Sequence, residues 1–139
     1  MSLPGAGDII AISGLAVKVF TAYKDAPDDY RHILDEVESL QILIDKYARL
    51  FESPTLDDNY RQQGQKVLKG CHNVLKDLNS LIENYNTLAS GNMGSIFRRV
   101  RFGVKDIATL RARLISNTGL LNSFIQRLIP LLLLFNILY

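Results

Sequence analysis

Apolar residues recur three and four positions apart along almost the whole chain, and no stretch alternates in the manner of a β-strand. The first stripe is Ile9, Ile12, Ala16, Val19 and Tyr23, widened by Ile10, Val17 and Phe20, with Asp8 placed as an N-cap. Its polar side is thin, consisting of Ser13, Gly14, Lys18 and Thr21. Pro27 disfavours helical geometry at Ala26 and so ends this helix. The same proline, followed by Asp28 and Asp29, opens a second one, since proline suits a first turn and carboxylates there complement the helix dipole. Tyr30, Ile33, Val37, Leu40, Ile44, Tyr47 and Phe51 continue that stripe as far as Glu52-Ser53-Pro54-Thr55.

A third helix carries Tyr60, Gly64, Val67, Cys71, Val74, Leu78, Leu81, Tyr85 and Leu88. Ser90 to Ser95 is rich in turn formers and predicts a loop. Beyond it the pattern predicts a short helical piece from Ile96 to Phe102, a break at Gly103, and a fourth long helix from about Lys105 to Leu128. Ile107, Leu110, Leu114, Leu121, Phe124 and Leu128 hold its spacing, while Asn117 stands where an apolar residue is expected. Pro130 should kink or end that helix, leaving Leu128 to Tyr139 (LIPLLLLFNILY) as an uncharged tail too short to span a bilayer. The expected fold is all-α: an antiparallel four-helix bundle with a short extra helix. One domain over 1–139 is expected, its core at about 8–128 and its apolar tail at 129–139.

Composition agrees with a single packed unit. The 139 residues are 47% hydrophobic and 22% charged, enough apolar material for a core and too little polarity for disorder. No base precedes Ile9–Val17, and Asp8 sits directly before it, which argues against a signal peptide. One cysteine cannot make an internal disulfide, so a reducing compartment fits best. The Leu131–Phe135 block would be an aggregation liability if bare, so it is expected to pack across the bundle or against a second copy.

Charge adds an asymmetry that the net value of +2 hides. Residues 1–95 carry 9 bases and 13 acids, whereas the remainder carries 7 bases and only Asp106 as an acid. Arg98, Arg99, Arg101, Lys105, Arg111 and Arg113 make this segment a candidate for anionic lipid headgroups. Composition alone favours a solvated or internally paired face. The acidic remainder and the lack of a recognition motif argue against nucleic acid.

The residue inventory argues against catalysis. Cys71 and His72 are neighbours about 100° apart on a helix and do not form a nucleophile and base, and Cys71 falls on the core stripe. Two histidines and one cysteine supply no metal-ligand cluster, and no cofactor-binding motif is present. The Asp28-Asp29 and Asp57-Asp58 pairs stand at helix starts, where the dipole explains them. No enzyme, metal or cofactor is expected.

Gly7-Asp8 before an apolar helix, Tyr23-Lys24-Asp25-Ala26-Pro27 at the first turn, Glu38-Ser39-Leu40 in the second helix, and Lys105-Asp106-Ile107 with Leu110-Arg111 in the fourth form a recognisable set. Over about residues 5–128 the chain resembles the HeLo-like N-terminal domain of fungal NOD-like (STAND) receptors and related ankyrin-repeat proteins. The resemblance implies a signalling or effector bundle in heterokaryon incompatibility and immune-type cell death. Such bundles are similar in architecture to the executioner domain of mixed-lineage kinase-like proteins and to the coiled-coil domains of plant resistance receptors. It further implies a cytoplasmic protein that oligomerises, exposes its first helix and is recruited to the plasma membrane. The inserting element would be Asp8 to Tyr23, with Ile9, Ile10, Ile12, Leu15, Val17 and Phe20 as its lipid-facing candidates. The alternative is an adaptor that docks on related helical domains and never meets lipid. An apolar stripe that is simply the core face of the first helix is the plainest account of the same residues.

Overall fold

A computed structural model describes residues 6–51, 57–89 and 93–138, with side chains described over 8–51, 57–87 and 106–134. Among the described residues five helices follow one another: α1 (Ala6–Lys24), the single turn α2 (Asp28–Arg31), α3 (Leu34–Phe51), α4 (Asp58–Ala89) and α5 (Met93–Leu138). The protein is an all-α helical bundle, and the four long helices lie where the apolar periodicity puts them.

The elements differ from expectation at three points. The second predicted helix is two, because His32 and Ile33 form a turn between α2 and α3. That turn re-aims the chain so that both Tyr30, 3% exposed, and Ile33, fully covered, face the core. The Tyr30 ring then meets Tyr85 of α4 edge-on at 5.0 Å. Second, Ile96–Phe102, Gly103 and the fourth predicted helix are one continuous α5, which begins at Met93; Ser90, Gly91 and Asn92 of the predicted loop lie outside the described residues. Third, Pro130 does not end the helix, which runs on to Leu138. Pro130 sits on the exposed side, where water can reach the Gln126 carbonyl that loses its intrahelical donor.

The ring order follows from side-chain register. α1 lies between α3 and α4, and α5 lies on the opposite corner, also between α3 and α4. Arg113 of α5 bonds Asp77 of α4, and Cys71 of α4 bonds Asn117 of α5, so these two helices run antiparallel. Glu36 meets Arg111 and Tyr47 meets Phe124, so α3 and α5 run parallel. The start of α1 similarly lies beside residues 65–72 of α4, while Tyr23 reaches Leu78, and those helices are parallel too. The bundle is thus two antiparallel hairpins, α1–α3 and α4–α5, laid side by side with like directions in contact. Short-loop periodicity alone does not distinguish this arrangement from one with every neighbour antiparallel.

A single cluster of buried apolar side chains from all five helices fills the centre, and no charged or polar side chain is buried among the described residues. Two glycines of α4 set its closest approaches. A Cβ on Gly64 would strike the Tyr47 hydroxyl and lie 2.9 Å from Cε2 and Cζ of that ring. A Cβ on Gly70 would strike Oδ1 of Asn117, whose Nδ2 donates to the Arg113 carbonyl at 2.8 Å. The unexpected Asn117 of the fourth stripe is therefore seated over a glycine, with its amide satisfied within its own helix. Gly14, by contrast, has nothing within 4 Å of where a Cβ would stand.

Glycine-to-alanine substitutions should consequently diverge in sign. Gly14→Ala should stabilise by about 0.5–1 kcal/mol, the intrinsic helix preference of alanine. Gly64→Ala should destabilise by about 1–3 kcal/mol, because the aromatic ring rather than a flexible chain end must move. Urea unfolding of the two variants, read by circular dichroism, checks both.

Candidate functional site

The outer face of α1 is the first candidate surface. Ile9 and Ile12 do not belong to it: at 6% and 4% exposure they are core residues, held against α3 and α4 with Ala16, Val19 and Tyr23. Their position on the inner stripe is the physical reason, so in the folded bundle they face α3 and α4. Leu15 and Phe20 are half-buried and pack against the same core. Ile10 and Val17 are different, being 69% and 47% exposed. Seven residues apart, they lie on one stripe with Gly14, and no charged side chain falls between them.

Few polar contacts tie α1 to the rest. The Tyr23 hydroxyl donates to the Leu78 carbonyl of α4 at 2.6 Å, a buried bond, and burial raises the pKa of that phenol well above its ordinary value. Lys18 faces Glu83 at 3.7 Å with both side chains more than half exposed, a contact worth little in water. Among the described residues, α1 is therefore held mainly by apolar packing, with one buried side-chain hydrogen bond near its C-terminal end.

The basic segment is the second candidate, and its members divide. Arg111 donates through Nε at 2.9 Å and Nη2 at 2.7 Å to Oε1 of Glu36, tying α5 to α3. Arg113 donates to Oδ2 of Asp77 at 2.7 Å, tying α5 to α4. These two bases face carboxylates of the acidic part of the chain, which is the internally paired arrangement. The side chains of Arg98, Arg99, Arg101 and Lys105 lie outside the described residues; their backbone belongs to α5.

Candidate chemistry elsewhere is sparse. Cys71 is fully covered, its thiol donates to the Asn117 carbonyl at 3.7 Å, and burial pushes its pKa up to about 12. His32 is exposed and His72 half-buried. Asp28 and Asp29 occupy the first turn of α2, and Asp57 caps α4 by accepting from the Tyr60 amide at 2.9 Å, so both acidic pairs serve helix starts. Among the described residues no group of three His, Cys, Asp or Glu side chains is placed to hold a metal ion. No helix among them is long and apolar enough to cross a membrane.

A shallow groove between α3 and α5 went unmarked by the sequence pattern. It is lined by Ser39, Ile42, Leu43, Ile115, Thr118 and Gly119, with Asn122 at its rim. Ile42 and Ile115 are 52% and 51% exposed there. The signal available in the sequence was Leu114 to Gln126, thirteen residues without a charge on a helix that is otherwise strongly basic.

No family model, curated protein or solved structure matches the chain.

Burial of Cys71 and of Tyr47, whose phenol is likewise raised by burial to about 12, gives a pH dependence with a definite sign. Above pH 9 the unfolded chain loses the thiol proton, and above 10 the phenol protons, while the folded chain keeps them. Stability is therefore full below pH 9 and should fall as pH rises toward 12. Urea midpoints measured between pH 8 and 11 should drop, and the drop should be shallower in Cys71→Ala.

Proposed function

We propose that this chain is a non-catalytic signalling bundle of the HeLo-like kind, which acts in a fungal cell-death pathway by oligomerising and perturbing the plasma membrane through α1. The single observation that carries the membrane part is the bare, uncharged stripe of Ile10, Gly14 and Val17 on α1. Two aliphatic side chains held in water on one stripe form a small apolar strip that a lipid surface would cover. Gly14, for which packing gives no reason, weakens the helix at that point by about 1 kcal/mol relative to alanine. A segment that leaves one environment for another is served by both features.

The burial of Ile9 and Ile12 sets a condition on this mechanism. In the folded bundle α1 offers lipid only its outer stripe, so full insertion requires it to leave α3 and α4, breaking the Tyr23–Leu78 bond and exposing the inner stripe. The resting bundle would then hold its own effector in check by packing. Recruitment from the cytoplasm to anionic lipid would fall to Arg98, Arg99, Arg101 and Lys105, since Arg111 and Arg113 are engaged with Glu36 and Asp77.

Dye leakage from phosphatidylserine-containing vesicles tests the proposal. The wild-type chain should release dye, and Ile10→Glu with Val17→Glu should reduce release at least tenfold. Both residues are exposed, so the variant keeps its fold, which circular dichroism checks. Leakage that survives the double substitution, or that the wild type never produces, removes the membrane reading and leaves an adaptor that docks on related helical domains.

A further inference from the structure

α4 carries a basic face that the acidic balance of the first part of the chain conceals. Residues 59–76 contain four bases, Arg61, Lys66, Lys69 and Lys76, and no acid. Arg61 turns back over the Phe51 ring of α3, its guanidinium 4.6 Å from the ring centre. The three lysines do not. Steps of three and seven residues place them on one side of the helix, about 15 Å from first to last, and all three are exposed. Among the described residues none of them has an ion-pair or hydrogen-bond partner. Gln62, Asn73 and Ser80, also exposed, complete the row.

The surroundings of the row leave its charge standing. Asp77 and Glu83, the next acids along α4, face Arg113 and Lys18. Asp58 stands two turns before Lys66, in the first turn of the helix. Across the seam on α1, Asp8 shares a cleft with Lys69 and His72 and makes no ion pair among the described residues. On the other side lies the uncharged 114–126 stretch of α5, antiparallel to α4.

The composition of the row narrows the partner. Among the described residues no large apolar side chain of α4 is exposed, so a protein partner would find no apolar centre, and lysine is depleted at the centres of such interfaces. Reading a nucleic acid calls for arginine on base edges or aromatic rings under the bases, and the row has neither. Lysine is a compact, hydrated point charge on a flexible stem, suited to a broad anionic field rather than to one fixed ligand. A plane of anionic lipid headgroups is such a field, and lysines aligned along one side of a helix meet it together.

We propose that the outer face of α4, through Lys66, Lys69 and Lys76, is a surface by which the chain lies against an anionic lipid bilayer. The inference rests on the membrane reading of the proposed function. It places the contact on a helix that stays in the bundle when α1 leaves, so docking and insertion belong to different elements.

Co-sedimentation with phosphatidylserine-containing vesicles tests it. Lys66→Gln with Lys69→Gln and Lys76→Gln should lower partitioning roughly a hundredfold at low salt, and wild-type binding should fade as salt rises. The three side chains are exposed, so this variant keeps its fold, which circular dichroism checks. Gln62→Lys with Asn73→Lys, a gain that misfolding cannot mimic, should raise partitioning by about tenfold or more. Lys24→Gln with Lys46→Gln and Arg49→Gln removes the same charge from exposed sites on α1 and α3 and should leave binding nearly unchanged. Undiminished binding of the α4 variant, an equal loss in the charge-matched variant, or binding indifferent to salt overturns the proposal. So does a wild type that binds RNA or an acidic polypeptide but not the vesicles. Leakage is read separately: vesicles that are bound through α4 and never leak would remove the role of α1 and leave this surface standing. Leakage with undiminished binding of the α4 variant would remove this surface and leave the role of α1.

Discussion

The bundle depends on how closely α4 approaches its neighbours. Helices packed through large side chains stand about 8–10 Å apart, and glycine is what lets a ring or an amide sit directly on a backbone. Gly64 receives Tyr47 and Gly70 receives Asn117, so one helix is notched twice, once toward α3 and once toward α5. The Tyr47 ring in turn lies 6.1 Å from Phe124 and 6.0 Å from Phe51, so three helices converge at the first notch. A glycine inside a helix costs about 1 kcal/mol relative to alanine, and here both losses are offset by contacts that no other residue permits.

α1 stands outside that arrangement. It borders α3 and α4, and its polar attachment among the described residues is the Tyr23 hydroxyl on the Leu78 carbonyl together with one exposed ion pair. Packing of α3, α4 and α5 against one another uses Tyr47, Asn117 and two well-formed charge pairs, Arg111–Glu36 and Arg113–Asp77. Interactions that fix register are therefore concentrated on three helices, while the fourth is held chiefly by apolar burial, which is non-directional. Detaching α1 would cost apolar burial, the Tyr23 hydrogen bond and one exposed ion pair, whereas detaching α3 would also break the bidentate Arg111–Glu36 contact.

Helix positions were legible in the sequence because the signal is local: a stripe at 3.6-residue spacing needs only its own side chains. Ring order was not, since it is set by contacts such as Glu36–Arg111 between residues 75 apart, and either end of an amphipathic helix satisfies the same stripe. Gly64 took an apolar position in the pattern without revealing that a ring occupies the missing side chain's place. The exposed and buried members of the α1 stripe were inseparable for a related reason. Ile9 and Ile10 are the same residue type, and only the placement of α3 and α4 decides that one is covered and the other bare. Pro130 misled in the opposite direction: its effect on backbone bonding is local, but whether a helix survives it depends on what surrounds the freed carbonyl.

The charge asymmetry illustrates how a one-dimensional bias is resolved in three dimensions. An acidic first part and a basic last part suggest a surface that seeks an external anion, yet the bundle lays α5 between α3 and α4, so that Glu36 and Asp77 come to Arg111 and Arg113. Midway along α5 the asymmetry is thus consumed internally, and the adjoining stretch of the helix, Leu114 to Gln126, carries no charge at all. Electrostatics in this molecule thus helps to set the register of the bundle, because Arg111 and Arg113 hold α5 to α3 and α4 through partners far away in sequence.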